Sequence, residues 1–201
     1  MFTDKTIKQD VGSSTVFEMM HPKLGCVISF RRVESEIDFE RLYEWQHYDH
    51  VKPYWNLAIS REAYRQHLEA FLLDTHQTLY IGSIDGVPMS YWECYWAVDD
   101  VIAGCYEPKV ADQGVHLLIG PPEYIGRGYA LPMLEAMVSF LFLHKETDRI
   151  VAEPDIRNDK MIHIFKRCGF EVQKTITLPD KQALLLFCNR ENFRGSGNDN
   201  D

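Results

Sequence analysis

The chain lacks a surplus of positive charge. Its 21 Lys and Arg residues stand against 30 Asp and Glu, a net charge of −9. A dedicated nucleic-acid binder needs cations to replace the counterions of phosphate, so that class is excluded. No apolar run approaches the roughly 20 residues that span a bilayer, so no membrane partner is expected. The segment Met1–Met20 lacks a cationic start followed by an apolar stretch. No secretory signal is read there, and the expected location is the cytoplasm. Cysteine is sparse and odd in number: Cys26, Cys94, Cys105, Cys168 and Cys188, no two closely spaced. That pattern supports neither a disulfide framework nor a zinc site, and no metal is expected. The thiols read as small buried hydrophobes in a reducing compartment. There is no internal repeat.

What is present is globular. Of 201 residues, 45% are hydrophobic and 25% charged, enough to bury one full core without covalent staples. Residues 1–25 are weakly patterned and read as an arm or an edge strand. The folded domain is placed at 26–188, and the polar end, 189–201, is expected to be disordered. Cys26–Arg31 reads as a strand. A helical stretch starts at Asp38, with Phe39, Leu42, Tyr43 and Trp45 on its apolar face. Pro53 breaks the pattern within His50–Trp55. Ser60 is a good N-cap for a helix through Leu73. Thr78–Ile84 and Val87–Ala97 form a hairpin about Asp85–Gly86. A loop or short helix runs from Asp99 to Pro108. Gly114–Ile119 is a strand, Gly126–His144 a helix and Arg149–Ala152 a strand. Asn158–Cys168 is a helix stopped by Gly169. Phe170–Leu178 and Gln182–Cys188 close the order as a second hairpin. Such an order implies an α+β layered architecture, helices covering a mixed, mostly antiparallel sheet.

The sharpest local feature is the run VHLLIGPPEYIGRGYALPML. A strand leads to two glycines, Gly126 and Gly128, and then to a helix. The first amides of a helix lack internal partners, and the helix dipole favours an anion beside them. Arg127 adds a cation between the glycines. A plain strand-to-helix turn would also use glycine here. The full dinucleotide fingerprint is absent, because Leu131 stands where its third glycine belongs.

Asn158–Phe170 reads NDKMIHIFKRCGF, a short helix ending in Gly-Phe and followed by a strand. Strand, glycine-pair helix, strand and Asn-led helix together resemble the GNAT acyl-CoA N-acyltransferases over residues 26–188. Glu123 occupies a position where that superfamily usually has Gln or Arg. Four further segments resemble its siderophore-biosynthesis branch: GVHLLIGP around His116, EPDIRN at 153–158, YWECYW at 91–96 and HVKPYW at 50–55. That branch comprises hydroxylysine and hydroxyornithine acetyltransferases, the mycobactin lysine acyltransferase, and the alcaligin- and desferrioxamine-type acyltransferases.

The resemblance implies the GNAT fold and acetyl-CoA, or another acyl-CoA, as co-substrate. It assigns His116 and Asp155 to catalysis. His116 lies in an apolar strand, where a histidine can simply serve the core. Its strand ends at the glycine turn, however, so the ring can face the cleft and take a proton near neutral pH. Asp155 can cap the next helix, or orient the His116 ring from the neighbouring strand end. Which of the two would be the base stays open. Cofactor contacts are expected from Leu117, Leu118 and Ile119, from Gly126, Arg127, Gly128, Tyr129 and Ala130, and from Asn158, which can equally be an N-cap. Trp92 and Glu93 alternate across a strand, so one of them faces the acceptor. Trp55 and His50, on the loop between helices, complete the acceptor side. Cys94 is read as structural. The expected acceptor is a small hydroxylated amine and the expected state a monomer or homodimer. The alternatives are acetylation of a protein N-terminus, a ribosomal protein or an aminoglycoside. A non-catalytic acyl-CoA-binding module is a further alternative.

Overall fold

The computed structural model describes residues 15–195. Among these residues, eight strands form one sheet in the order β1-β2-β3-β4-β5-β6-β8-β7. The strands are β1 (Thr15–His21), β2 (Cys26–Arg32), β3 (Gln77–Ile84), β4 (Val87–Trp96), β5 (Gln113–Ile119), β6 (Arg149–Ala152), β7 (Glu171–Thr177) and β8 (Gln182–Asn189). All neighbours are antiparallel except β5 and β6. The helices are α1 (Ser35–Gln46), α2 (Lys52–Trp55), α3 (Arg61–Leu73), α4 (Ala130–Leu141) and α5 (Asp159–Arg167).

The alternation of β4 and β5 divides the core between two faces of the sheet. Trp92, Cys94, Val115, Leu117 and Ile119 point to the side where Met133, Met137 of α4 and Phe165 of α5 pack. Tyr91 and Leu118 point the other way, onto Phe39, Leu42, Trp45, Tyr64 and Leu68 of α1 and α3. Glu93 and His116 lie on this second face too, as the period of two requires. Ser60 caps α3 by accepting from the Ala63 N–H, and Asn158 caps α5 by accepting from the Met161 N–H.

Several boundaries differ from the sequence reading. The edge-strand alternative for the first segment is the one seen, since β1 pairs with β2 from Thr15 to His21. Residues 1–14 of that segment lie outside the described residues. The chain stays in the fold past 188. Arg190 donates to the carbonyls of Phe142, His144 and Thr147, and Phe193 rests on Phe142 with ring centroids 5.6 Å apart. The end of α4 thus recruits the start of the polar tail, while residues 196–201 lie outside the described residues. α4 begins at Ala130 rather than Gly126, because Gly126 and Gly128 take φ of 73° and 83°, incompatible with a right-handed helix. Pro53 sits in the first turn of α2, where its missing N–H costs nothing.

The feature that makes a site is the parting of β5 and β6. They pair only at Gln113 with Ile150 and Gly114 with Val151. Beyond that point β5 runs on to Ile119 against β4 alone. The Gly120 N–H donates to Met89 O, which fixes the pairing phase. In an antiparallel ladder of that phase, the backbone groups of residues 116 and 118 bond to β4, and those of Leu117 and Ile119 face the gap. An open wedge is the result, in which the Ile119 carbonyl accepts from His50 Nε2 and the other gap-facing groups of β5 have no strand partner among the described residues.

Candidate active site

His116 stands where the wedge opens. Its Nδ1 is 2.9 Å from Glu93 Oε2, and its Nε2 is bonded to Glu153 Oε1. Glu93 lies directly opposite His116 on β4. Glu153 follows β6 and shares the face of Val151. Each carboxylate has a second partner: Tyr91 donates to Glu93 Oε1 at 3.0 Å, and Tyr95 donates to Glu153 Oε2 at 2.7 Å. The Tyr95 ring lies against the Gly114 backbone, where an added Cβ would come within 2.0 Å of it. Glycine at 114 therefore permits the reach of Tyr95 to Glu153.

The electrostatics follow from this packing. Burial alone would lower the His116 pKa, but Glu153 and Glu93 outweigh it and push it up to about 10. For Glu153, burial acts upward, and the attraction of His116 prevails and pulls it down to about 2. Both ring nitrogens face carboxylates, so both act as donors and the ring is an imidazolium. Burial also pushes the Tyr91 and Tyr95 phenols well above their ordinary value, so both remain hydroxyl donors.

Two cavities meet here. One, of about 260 Å3, is walled by Trp55, Glu93, His116, Glu153, Asp155 and Lys181. The other, of about 640 Å3, runs along Leu117, Leu118 and Ile119 to Gly126, Gly128, Tyr129 and Ala130. Trp55, Leu117, Asn158 and Met161 border both. At the far end of the larger cavity, the N–H groups of Gly126, Arg127, Gly128 and Tyr129 have no backbone partner among the described residues. An added Cβ at Gly126 or Gly128 would meet nothing within 4 Å, so the positive φ, not crowding, demands glycine there. Free amides before a helix, open to a cavity, are groups that could hold a diphosphate.

Three sequence expectations are corrected. Asp155 does not orient His116. Its carboxylate accepts from the Arg157 N–H at 2.8 Å, Nε at 2.9 Å and Nη2 at 2.6 Å. The Arg157 hydrogen bonds hold its pKa below the usual range. Arg157 folds back over it, and an isolated bridge to Ala183 fixes its backbone. Trp92 is not an acceptor wall. It is fully buried on the α4 face, edge-on to Phe30, with its indole N–H given to Ser90 Oγ. Of the alternating pair, Glu93 is the one that faces the smaller cavity. His50 lies on the larger cavity instead, where its Nε2–H donates to Ile119 O at 2.8 Å.

Trp55 walls both cavities, with its ring 6.5 Å from that of His116. Asn158 both caps α5 and borders both cavities. Cys94 is buried on the α4 face against Met137, and burial pushes its thiol up. Among the described residues no three His, Cys, Asp or Glu side chains are grouped to hold a metal. Glu153, Tyr95 and Lys181 escaped the sequence reading. Strand alternation from Val151 would have put Glu153 on the His116 face. Lys181 lies in a stretch between β7 and β8 whose sequence signals only a hairpin turn.

Two cavities that share one wall have the layout needed to bring two substrates together. Comparison with known proteins gives the family: residues 34–178 match the acetyltransferase (GNAT) domain. The chain belongs to that family and is an acyltransferase. It is 33% identical over 156 residues to the N-hydroxyputrescine acetyltransferase of Acinetobacter baumannii, covering 78% of this chain and 74% of the relative. It is 29% identical over 179 residues to the N(6)-hydroxylysine O-acetyltransferase of Escherichia coli, covering 89% of this chain. The chain spans only 57% of that relative's length. A solved structure of an uncharacterized protein from Bacillus halodurans superposes with a TM-score of 0.86 at 49% identity, covering 88% of this chain and 91% of the other. Aminoglycoside acetyltransferase AAC(6')-Ib in complex with coenzyme A superposes with a TM-score of 0.75 at 26% identity, covering 82% of this chain and 96% of the other.

Proposed function

We propose that the chain transfers an acyl group from acyl-CoA to the nitrogen of a small N-hydroxylated amine, a hydroxylated lysine, ornithine or diamine, and so makes a hydroxamate, the iron-chelating unit of a siderophore. The observation that carries this reading is the small carboxylate-lined pocket around His116. At about 260 Å3 it lies below the range of pockets for drug-sized ligands. A compact amine fits that volume. The relatives that act on N-hydroxyputrescine and N(6)-hydroxylysine support the same class.

The acyl-CoA arm lies along β5 as an added strand, meeting the gap-facing backbone of Leu117 and Ile119. The diphosphate rests on the amides of 126–129, with Arg127 beside it. The acceptor nitrogen adds its lone pair to the thioester carbon. The oxyanion that develops meets the Leu117 N–H. The C–S bond then breaks, nitrogen loses a proton, and the sulfur gains one as CoA leaves as its thiol. A hydroxylamine is less basic than an alkyl amine, so it arrives neutral and needs little help from a base. The charges of Glu93 and Glu153 are balanced by His116 and Lys181, and the two carboxylates beside the acceptor suit a nitrogen that turns cationic on attack. A carboxylate of this cluster takes the proton and passes it toward solvent through His116, which gives up one ring proton as it receives another. Asp155, fixed by Arg157, shapes the pocket wall.

The test is a matrix of acyl-CoAs and hydroxylated amines, read by CoA release and by the colour of the ferric complex of the product. Coloured hydroxamate from hydroxylysine, hydroxyornithine or a hydroxylated diamine is the expected result. CoA release without colour would mean transfer to oxygen. The likeness to AAC(6')-Ib favours a second reading, an aminoglycoside acceptor. Release of CoA with kanamycin and none with hydroxylated amines would establish that reading instead.

A further inference from the structure

Among the described residues, Lys181 is the one cation of the acceptor pocket that the reaction above does not use. Its side chain is only 16% exposed, and its Nζ lies 3.8 Å from Glu153 Oε1, an ion-pair distance too long for a hydrogen bond. Glu153 already serves His116 and Tyr95. The ammonium therefore borders the cavity with no acceptor in hydrogen-bond reach among the described residues.

Its position is built rather than accidental. The hairpin between β7 and β8 closes with the Leu178 N–H on Lys181 O at 2.8 Å. The next residues are stitched to the chain leaving β6: Ile156 N–H donates to Gln182 O, and Leu184 N–H donates to Pro154 O, each at 3.0 Å. The hairpin tip is thereby clamped against Glu153–Asp155, and Lys181 has little choice but to enter the pocket.

A nearly buried ammonium with open donors calls for an anion of matching size. We infer that Lys181 binds a carboxylate carried by one of the two substrates. This rests on the acyl-transfer reading of the pocket and deepens it. Two sources share that chemistry. One is the α-carboxylate of an amino-acid acceptor, which would favour hydroxylysine or hydroxyornithine over a plain diamine. The other is the distal carboxylate of a dicarboxylic acyl chain such as succinyl.

Binding separates the sources without requiring turnover. Calorimetry on the full chain would compare L-lysine with cadaverine, and succinyl-CoA with acetyl-CoA. The wild type should bind the carboxylate-bearing member of one pair about 10- to 100-fold more tightly, the worth of a hydrogen bond to a charged group. Lys181→Gln should abolish that preference and Lys181→Arg should keep much of it. The pair that shows the effect names the source. No preference in the wild type for either pair would overturn the inference without any variant having to fold. So would a preference that survives Lys181→Gln. Should carboxylate preference appear while no hydroxylated amine is acylated, the hydroxylated-amine reading fails and the carboxylate site stands.

Discussion

Nδ1 of His116 lies 2.9 Å from Oε2 of Glu93, and the opposite ring nitrogen is taken by Glu153. No lone pair remains on the ring to receive a substrate proton directly. His116 acts as the charged centre of a carboxylate clamp. Replacing it with alanine leaves two buried carboxylates facing each other. His116→Ala should lower kcat about 10²- to 10⁴-fold, the range for a positioned proton-transfer group. With CoA resting on 126–129, as proposed, its affinity should shift by no more than about threefold. Turnover within about threefold of wild type would remove His116 from the mechanism.

The pH behaviour follows with a definite sign. The folded-state pKa of His116 is raised, so the stability it adds is whole below its ordinary value of 6.5 and lost as pH rises through about 10. That of Glu153 is depressed, so its contribution is whole above its ordinary value of 4.5 and lost as pH falls through about 2. The stability gap between wild type and Glu153→Gln should therefore be widest between pH 4.5 and 6.5. It should narrow toward pH 10. Denaturant melts at pH 5.5 and pH 9.5 measure it. Imidazole NMR should show no His116 titration near pH 6.5, whereas a step there would mean the carboxylates do not hold the ring.

Much of this site was legible because it obeys local rules. The glycine turn, the caps at Ser60 and Asn158 and the placement of His116 follow from turn chemistry, capping and alternation. The partner of His116 was not legible. Asp155 and Glu153 are two residues apart and alike in charge, and only the return of Arg157 onto Asp155 decides which is free. Likewise, alternation in β4 said that Trp92 and Glu93 part, but not which face carries the cleft. That depends on where β6 leaves β5, a long-range fact.

The two tryptophans should separate stability from binding. Trp92 is fully buried between Phe30 and α4, so Trp92→Ala should cost about 3–5 kcal/mol of folding free energy. Trp55 walls the cavities at their junction, so Trp55→Ala should raise the KM of the acceptor about tenfold, with a far smaller loss of stability. Thermal melts beside steady-state kinetics decide it. Comparable loss of stability in both variants would contradict the assignment of faces.

Gly126 and Gly128 should matter through backbone conformation. Both have positive φ and open space at Cβ, so alanine adds strain without a clash. Each substitution should cost about 1 kcal/mol. It should also weaken CoA binding about five- to tenfold, as the amides turn from the cradle. Calorimetry with CoA provides the measurement. Unchanged affinity in the double variant would place the diphosphate elsewhere.

Asp155 and Arg157 should behave as one unit. Arg157 donates three hydrogen bonds to Asp155 and a fourth, at 3.2 Å, to Pro53 O on α2, thereby tying the wall of the pocket to the segment that carries Trp55. If Asp155 acts through this tie, Asp155→Asn and Arg157→Ala should each raise the acceptor KM several-fold while kcat falls less. The double variant should be little worse than either alone, because both remove the same connection. A group that took the substrate proton itself would behave differently: Asp155→Asn would cut kcat about 10²-fold or more, and Arg157→Ala would not reproduce it. A double-mutant cycle in kcat and KM distinguishes the two, and the bonds to Arg157 favour the first.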